Sequence, residues 1–186
     1  MNLIVGLGNP EETYKNNRHN VGFMVIDSLL EDLSCTCINK SNFRGNLYKC
    51  SNTLLLKPLT FMNLSGGSVK AVSDYFKPEH IIVIHDDLDL PFGTLKFKFG
   101  GGNGGHNGLK SIDEYIGKDY LRVRIGISKP KNKDMIISHV LSDFSKTEKE
   151  NLDKIIKNAK EASLALCQES LASVSQRYSL KASKET

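Results

Sequence analysis

No stretch of this 186-residue chain approaches the ~20 consecutive apolar residues that a membrane-crossing helix requires, so no membrane role is read into it. Its first residues, Met1-Asn2-Leu3-Ile4-Val5-Gly6, lack the basic segment and small-residue cleavage site of a secretory signal, which points to the cytoplasm. Cysteine is scarce. Cys35, Cys37, Cys50 and Cys167 form neither a CxxC pair nor a zinc-type spacing and are expected as reduced thiols. There is no HxH or HExxH, so no catalytic metal is assigned, and there is no GxSxG, so no serine nucleophile is expected. Gly6-Leu7-Gly8-Asn9-Pro10-Glu11 begins like a dinucleotide fingerprint but lacks the third glycine, and polar residues rather than a helix follow it. No organic cofactor is expected either. Excess charge of one sign is also missing: a net +4 permits a polyanionic partner without demanding one.

What is present is patterning. With 39% hydrophobic and 25% charged residues, the chain is ordinary for a globular protein and long enough for one full core. A single catalytic domain is expected over 1–178, with a polar tail at 179–186 that frays. Leu3–Leu7 and Ile81–Ile84 are continuous apolar runs, the mark of strands buried on both faces. Strands are also expected at 45–50 and 53–58. In 95–99, Leu95, Phe97 and Phe99 alternate with Lys96 and Lys98, and in 123–127, Val123, Ile125 and Ile127 alternate with Arg124 and Gly126. Helices are expected after Asn20 as N-cap, from Ser65, after Asn107 as far as Gly117, from Asp134, and from a Ser145/Glu148 capping box. Strands alternating with helices give an α/β fold: a mixed, largely parallel twisted sheet flanked by helices. Ligands of such sheets gather beyond the carboxyl ends of the strands.

The densest signal is Lys98 to Lys110, where glycine occupies 100, 101, 102, 104, 105 and 108. Ordering so much glycine is costly in backbone entropy, and it makes sense where main chain must pass close to a ligand or present N–H groups to an anion. Lys96, Lys98, Lys110, Arg122, Arg124, Lys129, Lys131 and Lys133 fall around this loop and are read as a basic rim.

His19 stands just ahead of a helix start, where the helix's partial positive charge disfavours imidazolium and leaves the ring available as a base. Asp86 closes a buried strand and would fix the tautomer of His19 if it reached it, with Asp87 and Asp89 as competitors. Amides at Asn9, Asn63 and Asn107 surround the pair in sequence. A His–Asp base among amides suits activating a water against a carbonyl. The residues alone leave two other classes open: a non-catalytic RNA-binding module and a metal-dependent hydrolase or peptidase of similar sheet architecture.

The motifs Gly6-Leu7-Gly8-Asn9-Pro10, Tyr14, Arg18-His19-Asn20, Thr60 to Gly66, His85-Asp86-Asp87-Leu88-Asp89-Leu90-Pro91 and Gly104-Gly105-His106-Asn107-Gly108 together resemble the bacterial-type peptidyl-tRNA hydrolase family, in its order, from Met1 to about Leu141. The resemblance implies hydrolysis of the ester between a peptide and tRNA, with His19 as proton acceptor and Asp86 as its partner. It also implies that Asn9 distinguishes blocked from free aminoacyl groups, and an amide there can accept a hydrogen bond from the peptide N–H while staying neutral. Tyr14, Phe61, Asn63, His106 and Asn107 correspond to substrate- and tRNA-contacting positions, Lys98 and Arg124 to a clamp on tRNA phosphate, and the protein to a monomer. Glu11 departs from the family, standing where a glycine usually follows Asn-Pro.

Overall fold

The computed structural model describes residues 1–182. Its elements run β1 (Asn2–Gly6), α1 (Val21–Asp32), β2 (Thr36–Cys37), β3 (Gly45–Cys50), β4 (Thr53–Pro58), α2 (Ser65–Phe76), β5 (His80–Asp87), β6 (Leu95–Phe99), α3 (Asn107–Ile116), β7 (Leu121–Gly126), α4 (Ile136–Val140), α5 (Lys146–Ala165) and α6 (Leu171–Tyr178). The strands form one seven-stranded sheet in the order β2-β3-β4-β1-β5-β7-β6. Neighbours within the central β4-β1-β5-β7 block are parallel, and the outer pairs β2/β3, β3/β4 and β6/β7 are antiparallel.

The apolar runs are buried on both faces because the sheet separates two cores. Ile4, Ile82 and Ile84 pack under α1, α5 and α6, whereas Leu3, Val5 and Val83 point the other way, toward α2 and α3. The end of β1 lies directly on the first turn of α1: a Cβ on Gly6 would collide with the Gly22 carbonyl, and one on Gly22 with Leu7 and Ile84 main chain. This contact sets the residues before α1 beside the carboxyl ends of β1 and β5.

Several expectations are corrected. Asn20 does not cap α1 with its side chain. Its amide instead grips the main chain of Asn9, accepting from Asn9 N–H and donating to Asn9 C=O, both at 2.9 Å. Asn107 is the first residue of α3, and His106 is the cap. Phe99, expected inside, is exposed at the end of its strand. Helix α6 escaped notice because Val174 is the one residue it buries fully.

Cys35 and Cys50 are joined in a disulfide rather than reduced, while Cys37 and Cys167 are free. The register explains it: β2 pairs Thr36 with Lys49 and Cys37 with Tyr48, which sets Cys35 opposite Cys50. The start of the tail does not fray. Leu180 exchanges backbone hydrogen bonds with Leu95 at 3.0 and 3.1 Å, adding one rung to β6, and Ala182 N–H donates to Thr94 Oγ1. The remainder of the expected tail, 183–186, lies outside the described residues.

Candidate active site

The parallel strands β1, β5 and β7 are neighbours, and the last residues of β5 carry the polar groups. β5 ends in His85-Asp86-Asp87, with His85 beside Arg124 and Asp86 beside Ile125 in the register of β7. His19, in a single 3-10 turn over Arg18–Asn20, is brought to Asp86 by the seating of α1. Its Nδ1 lies 2.7 Å from Asp86 Oδ2. His106 approaches the other carboxylate oxygen, with Nε2 2.8 Å from Oδ1.

Helix capping settles the protons. His106 Nδ1 accepts from the N–H groups of Gly108 at 3.1 Å and Leu109 at 3.3 Å, so that nitrogen carries no hydrogen. Its Nε2 is therefore the protonated one and donates to Asp86. With one oxygen so occupied, Asp86 receives Nδ1–H of His19 on the other, and the Nε2 lone pair of His19 is left over.

The pKa directions agree. Burial raises the pKa of Asp86, but the two histidines outweigh it and hold the carboxyl well below the usual range. Burial disfavours charge on His19, yet the charge and hydrogen bond of Asp86 prevail and the pKa is raised above 6.5. The helix start was expected to favour the neutral ring; the carboxylate overrides it. His85 is different. Its complete burial and the charge of His106 push it down to about 4, against the opposing hydrogen bond from its Nδ1 to the Asp86 carbonyl at 2.8 Å, and it is neutral at neutral pH.

These groups form one end of a cleft of about 120 Å³, whose lining also includes Lys98, Asn107, Arg122, Arg124, the 102–106 glycine stretch and, across from them, Ile136, Ile137 and Val140 of α4. Lys98 and Arg124 share this cleft because they lie on one face of the antiparallel β6/β7 pair, two register steps apart. Arg124 Nε is held at 2.8 Å by Asp87 Oδ2. Lys98 is pushed below the usual lysine value by burial and by the charges of Arg124 and Arg122. Of these causes only the arginine charges also favour an anion, since burial disfavours charge of either sign.

Arg122, read from sequence as rim, is instead almost fully buried. Its guanidinium donates to the carbonyls of Gly102 at 2.6 Å and Gly101 at 3.0 Å and lies over the Tyr120 ring. It fixes the limb of a loop in which Gly101, Gly104 and Gly105 take positive φ. Alternation alone could not separate Arg122 from Arg124, since both point to the same face. The helix expected from Asp134 forms as α4, but nothing in the sequence marked it as a wall of the cleft.

Asn9 is not among the residues that line the cleft; its Oδ1 accepts the N–H of Met62 at 3.1 Å. One lone pair of Oδ1 is thus engaged; the second lone pair and Nδ2–H remain on offer. Tyr14 is half-buried, Phe61 and Asn63 are exposed, and none of these three lines the cleft. Glu11 is exposed. His19, Asp86 and His106 present three ligand atoms within 4.8 Å of one another, a spacing that also suits a cation. The cap on His106 favours hydrogen bonding instead, because it places the proton on the nitrogen that faces Asp86.

A mixed α/β sheet with a buried His–Asp pair and a basic cleft at its strand ends has the build of a hydrolytic enzyme. A sequence model of the family described as peptidyl-tRNA hydrolase matches residues 3–186. The peptidyl-tRNA hydrolases of Sulfurovum sp. (strain NBC37-1) and Campylobacter jejuni are each 54% identical to this chain, covering 97% and 98% of it and 97% and 100% of their own lengths. The crystal structure of peptidyl-tRNA hydrolase from Acinetobacter baumannii is 36% identical and superposes with a TM-score of 0.89 over 96% of both chains. The chain belongs to the peptidyl-tRNA hydrolase family, carboxylic ester hydrolases whose substrate is peptidyl-tRNA.

Proposed function

We propose that this enzyme frees peptide from tRNA by a water activated on His19, with Asp86 holding the ring and Asn9 placed to donate to the reacting carbonyl. The observation that carries the reading is the 2.7 Å contact between His19 Nδ1 and Asp86 Oδ2 in the wall of the cleft. In the reaction, Nε2 takes a proton from water as the water oxygen bonds to the ester carbonyl carbon. Asp86 stabilises the resulting imidazolium without itself taking the proton. The bond from the carbonyl carbon to the ribose oxygen then breaks, and the imidazolium returns its proton to that oxygen. Asn9 Nδ2–H suits the charge that builds on the carbonyl oxygen, a neutral donor needing no counter-charge.

The tRNA side of this reading takes Lys98 and Arg124 as the phosphate clamp, since both face the cleft and Arg124 presents a planar fork. Exposed Phe61 and half-buried Tyr14 offer faces for stacking, and Asn63 and Asn107 offer exposed amides. His106 moves from substrate contact to support of Asp86. The enzyme is read as an RNA-binding cytoplasmic monomer, its substrate being an intermediate of translation and its assigned residues coming from one chain.

The test is to offer N-acetylated and free aminoacyl-tRNA in the presence of a chelator and follow release of deacylated tRNA. Turnover of the blocked substrate alone is expected. Loss of turnover with chelator would move the reading to a metal held by His19, Asp86 and His106, and binding without release would reduce the protein to an RNA-binding module.

A further inference from the structure

The residue before the proposed base has a buried side chain that the reaction does not use. Arg18 Nη1 donates to the carbonyl of His139 at 3.3 Å, the carbonyl of Ser142 at 3.4 Å and Ser142 Oγ at 2.5 Å. Its Nη2 donates to Glu148 Oε1 at 2.8 Å, and its backbone N–H donates to the Ser142 carbonyl at 3.0 Å. The guanidinium also faces the Phe144 ring, and Asn17 forms a β-bridge to Asp143. Both partners of the ion pair are largely shielded from water, with side chains 10% and 18% exposed.

These contacts converge on one place. His139 and Ser142 stand at the end of α4, the short helix whose Ile136, Ile137 and Val140 form the cleft wall. Arg18 shares a single 3-10 turn with His19. The far end of α4 therefore rests on the residue covalently joined to the proposed base. A helix of five residues has little stability of its own, so its position is set by what holds its ends. Here those holds are Arg18 and the hydrogen bond from His139 Nε2 to the Ile127 carbonyl at 2.9 Å.

We propose that Arg18 is a positioning residue that, with Glu148, couples the α4 wall to His19, so that a peptide lying against Ile136, Ile137 and Val140 seats the base against Asp86. This rests on the reading of His19 as base, and it takes the apolar α4 side of the cleft for the peptide, apart from the Lys98 and Arg124 side read as the phosphate clamp. A substrate whose acyl part is too short to reach α4 gains nothing from the coupling, whereas a longer peptide does. Arg18 thus turns contact with the peptide into turnover, not merely into affinity.

Glu148 allows the coupling to be separated from folding. The oxygen that takes the Arg18 bond also accepts the Ser145 N–H at 2.8 Å in the capping box of α5, so glutamine keeps the cap and removes only the charge that pairs with Arg18. The experiment compares kcat and KM of wild type, Glu148→Gln and Arg18→Lys on N-acetyl-aminoacyl-tRNA and on a peptidyl-tRNA bearing several apolar residues, with thermal melts alongside. In the wild type the longer substrate is expected to have the higher kcat, by roughly tenfold, the scale on which small misplacements of a catalytic group act. In both variants that kcat advantage falls toward one while KM for the longer substrate changes little. A purely structural role would lower kcat for both substrates in proportion to the folded fraction and leave their ratio untouched; that result would overturn the proposal, as would a wild-type ratio of one. Failure of the wild type to cleave either substrate would instead sink the functional reading itself.

Discussion

At the scale of the residue, the site reduces to who holds which proton. His19→Ala is expected to fold and bind tRNA but lose ~10²–10⁴ in rate, as removal of a positioned general base does. Adding Asp86→Asn to it should cost little more, because both act in one step, and fully multiplicative losses in a double-mutant comparison would separate them. The pH dependence has a definite sign. The base must be neutral, so kcat/KM falls as pH drops through the His19 pKa, which Asp86 holds above 6.5. In Asp86→Asn the raising influence is gone and burial remains, so the acid limb should move to lower pH; a limb that stays put would detach the profile from His19. For the clamp, removing the charge at Lys98 or Arg124 should raise KM for full-length tRNA and reduce the salt slope by about one counterion. Arg124→Lys should be only partly tolerated, since lysine offers no planar fork to phosphate and loses the Nε contact with Asp87. The sequence marked His19 at a helix start and Asp86 at a strand end, with Asp87 and Asp89 as competitors, and only the family resemblance paired His19 with Asp86. The burial of Arg122 was not legible, because it depends on a loop folding over a face that alternation marks as wet.

At the scale of the element, helix α3 is tied to the chemistry by its cap. His106 serves the first turn of α3 with one ring nitrogen and Asp86 with the other. His106→Ala should therefore do two things at once. It should destabilise the protein by about 1 kcal/mol for the lost cap, read in denaturant unfolding. It should also lower kcat by less than His19→Ala does, since Asp86 keeps His19; an unaltered kcat would confine His106 to the cap. Elements with a strong local code were legible before any contact was known: the apolar runs of β1 and β5, and the Ser145/Glu148 capping box that opens α5, present with both of its hydrogen bonds. Elements defined by their neighbours were not. β2 is two exposed residues that exist only as a partner of β3, and α6 offers a single buried valine to a core built by others.

At the scale of the whole molecule, the sheet keeps stability and chemistry at opposite ends. The Cys35–Cys50 disulfide lies at the amino-terminal end of β4, where Thr53 pairs with Asn2, whereas the cleft opens beyond the carboxyl ends of β1 and β5. Reduction, or Cys35→Ala, should lower stability by about 3 kcal/mol for a closed loop of this length and leave kcat and KM unchanged at temperatures where the protein stays folded. A change in KM on reduction would show the two ends to be linked. The disulfide was hidden in the sequence because cysteine spacing says nothing of strand register. The rung that Leu180 adds to Leu95 has a reach beyond its two hydrogen bonds. β6 is the last strand of the sheet, and an open margin of unpaired N–H and C=O groups invites a strand from another molecule. The chain shields that margin with its own end at Leu95, while Lys96 and Lys98 put charge along the rest. A version stopped before Leu180 would keep every group of the cleft and still tend to stick to its own kind, so its fault would appear in sedimentation before it appeared in turnover.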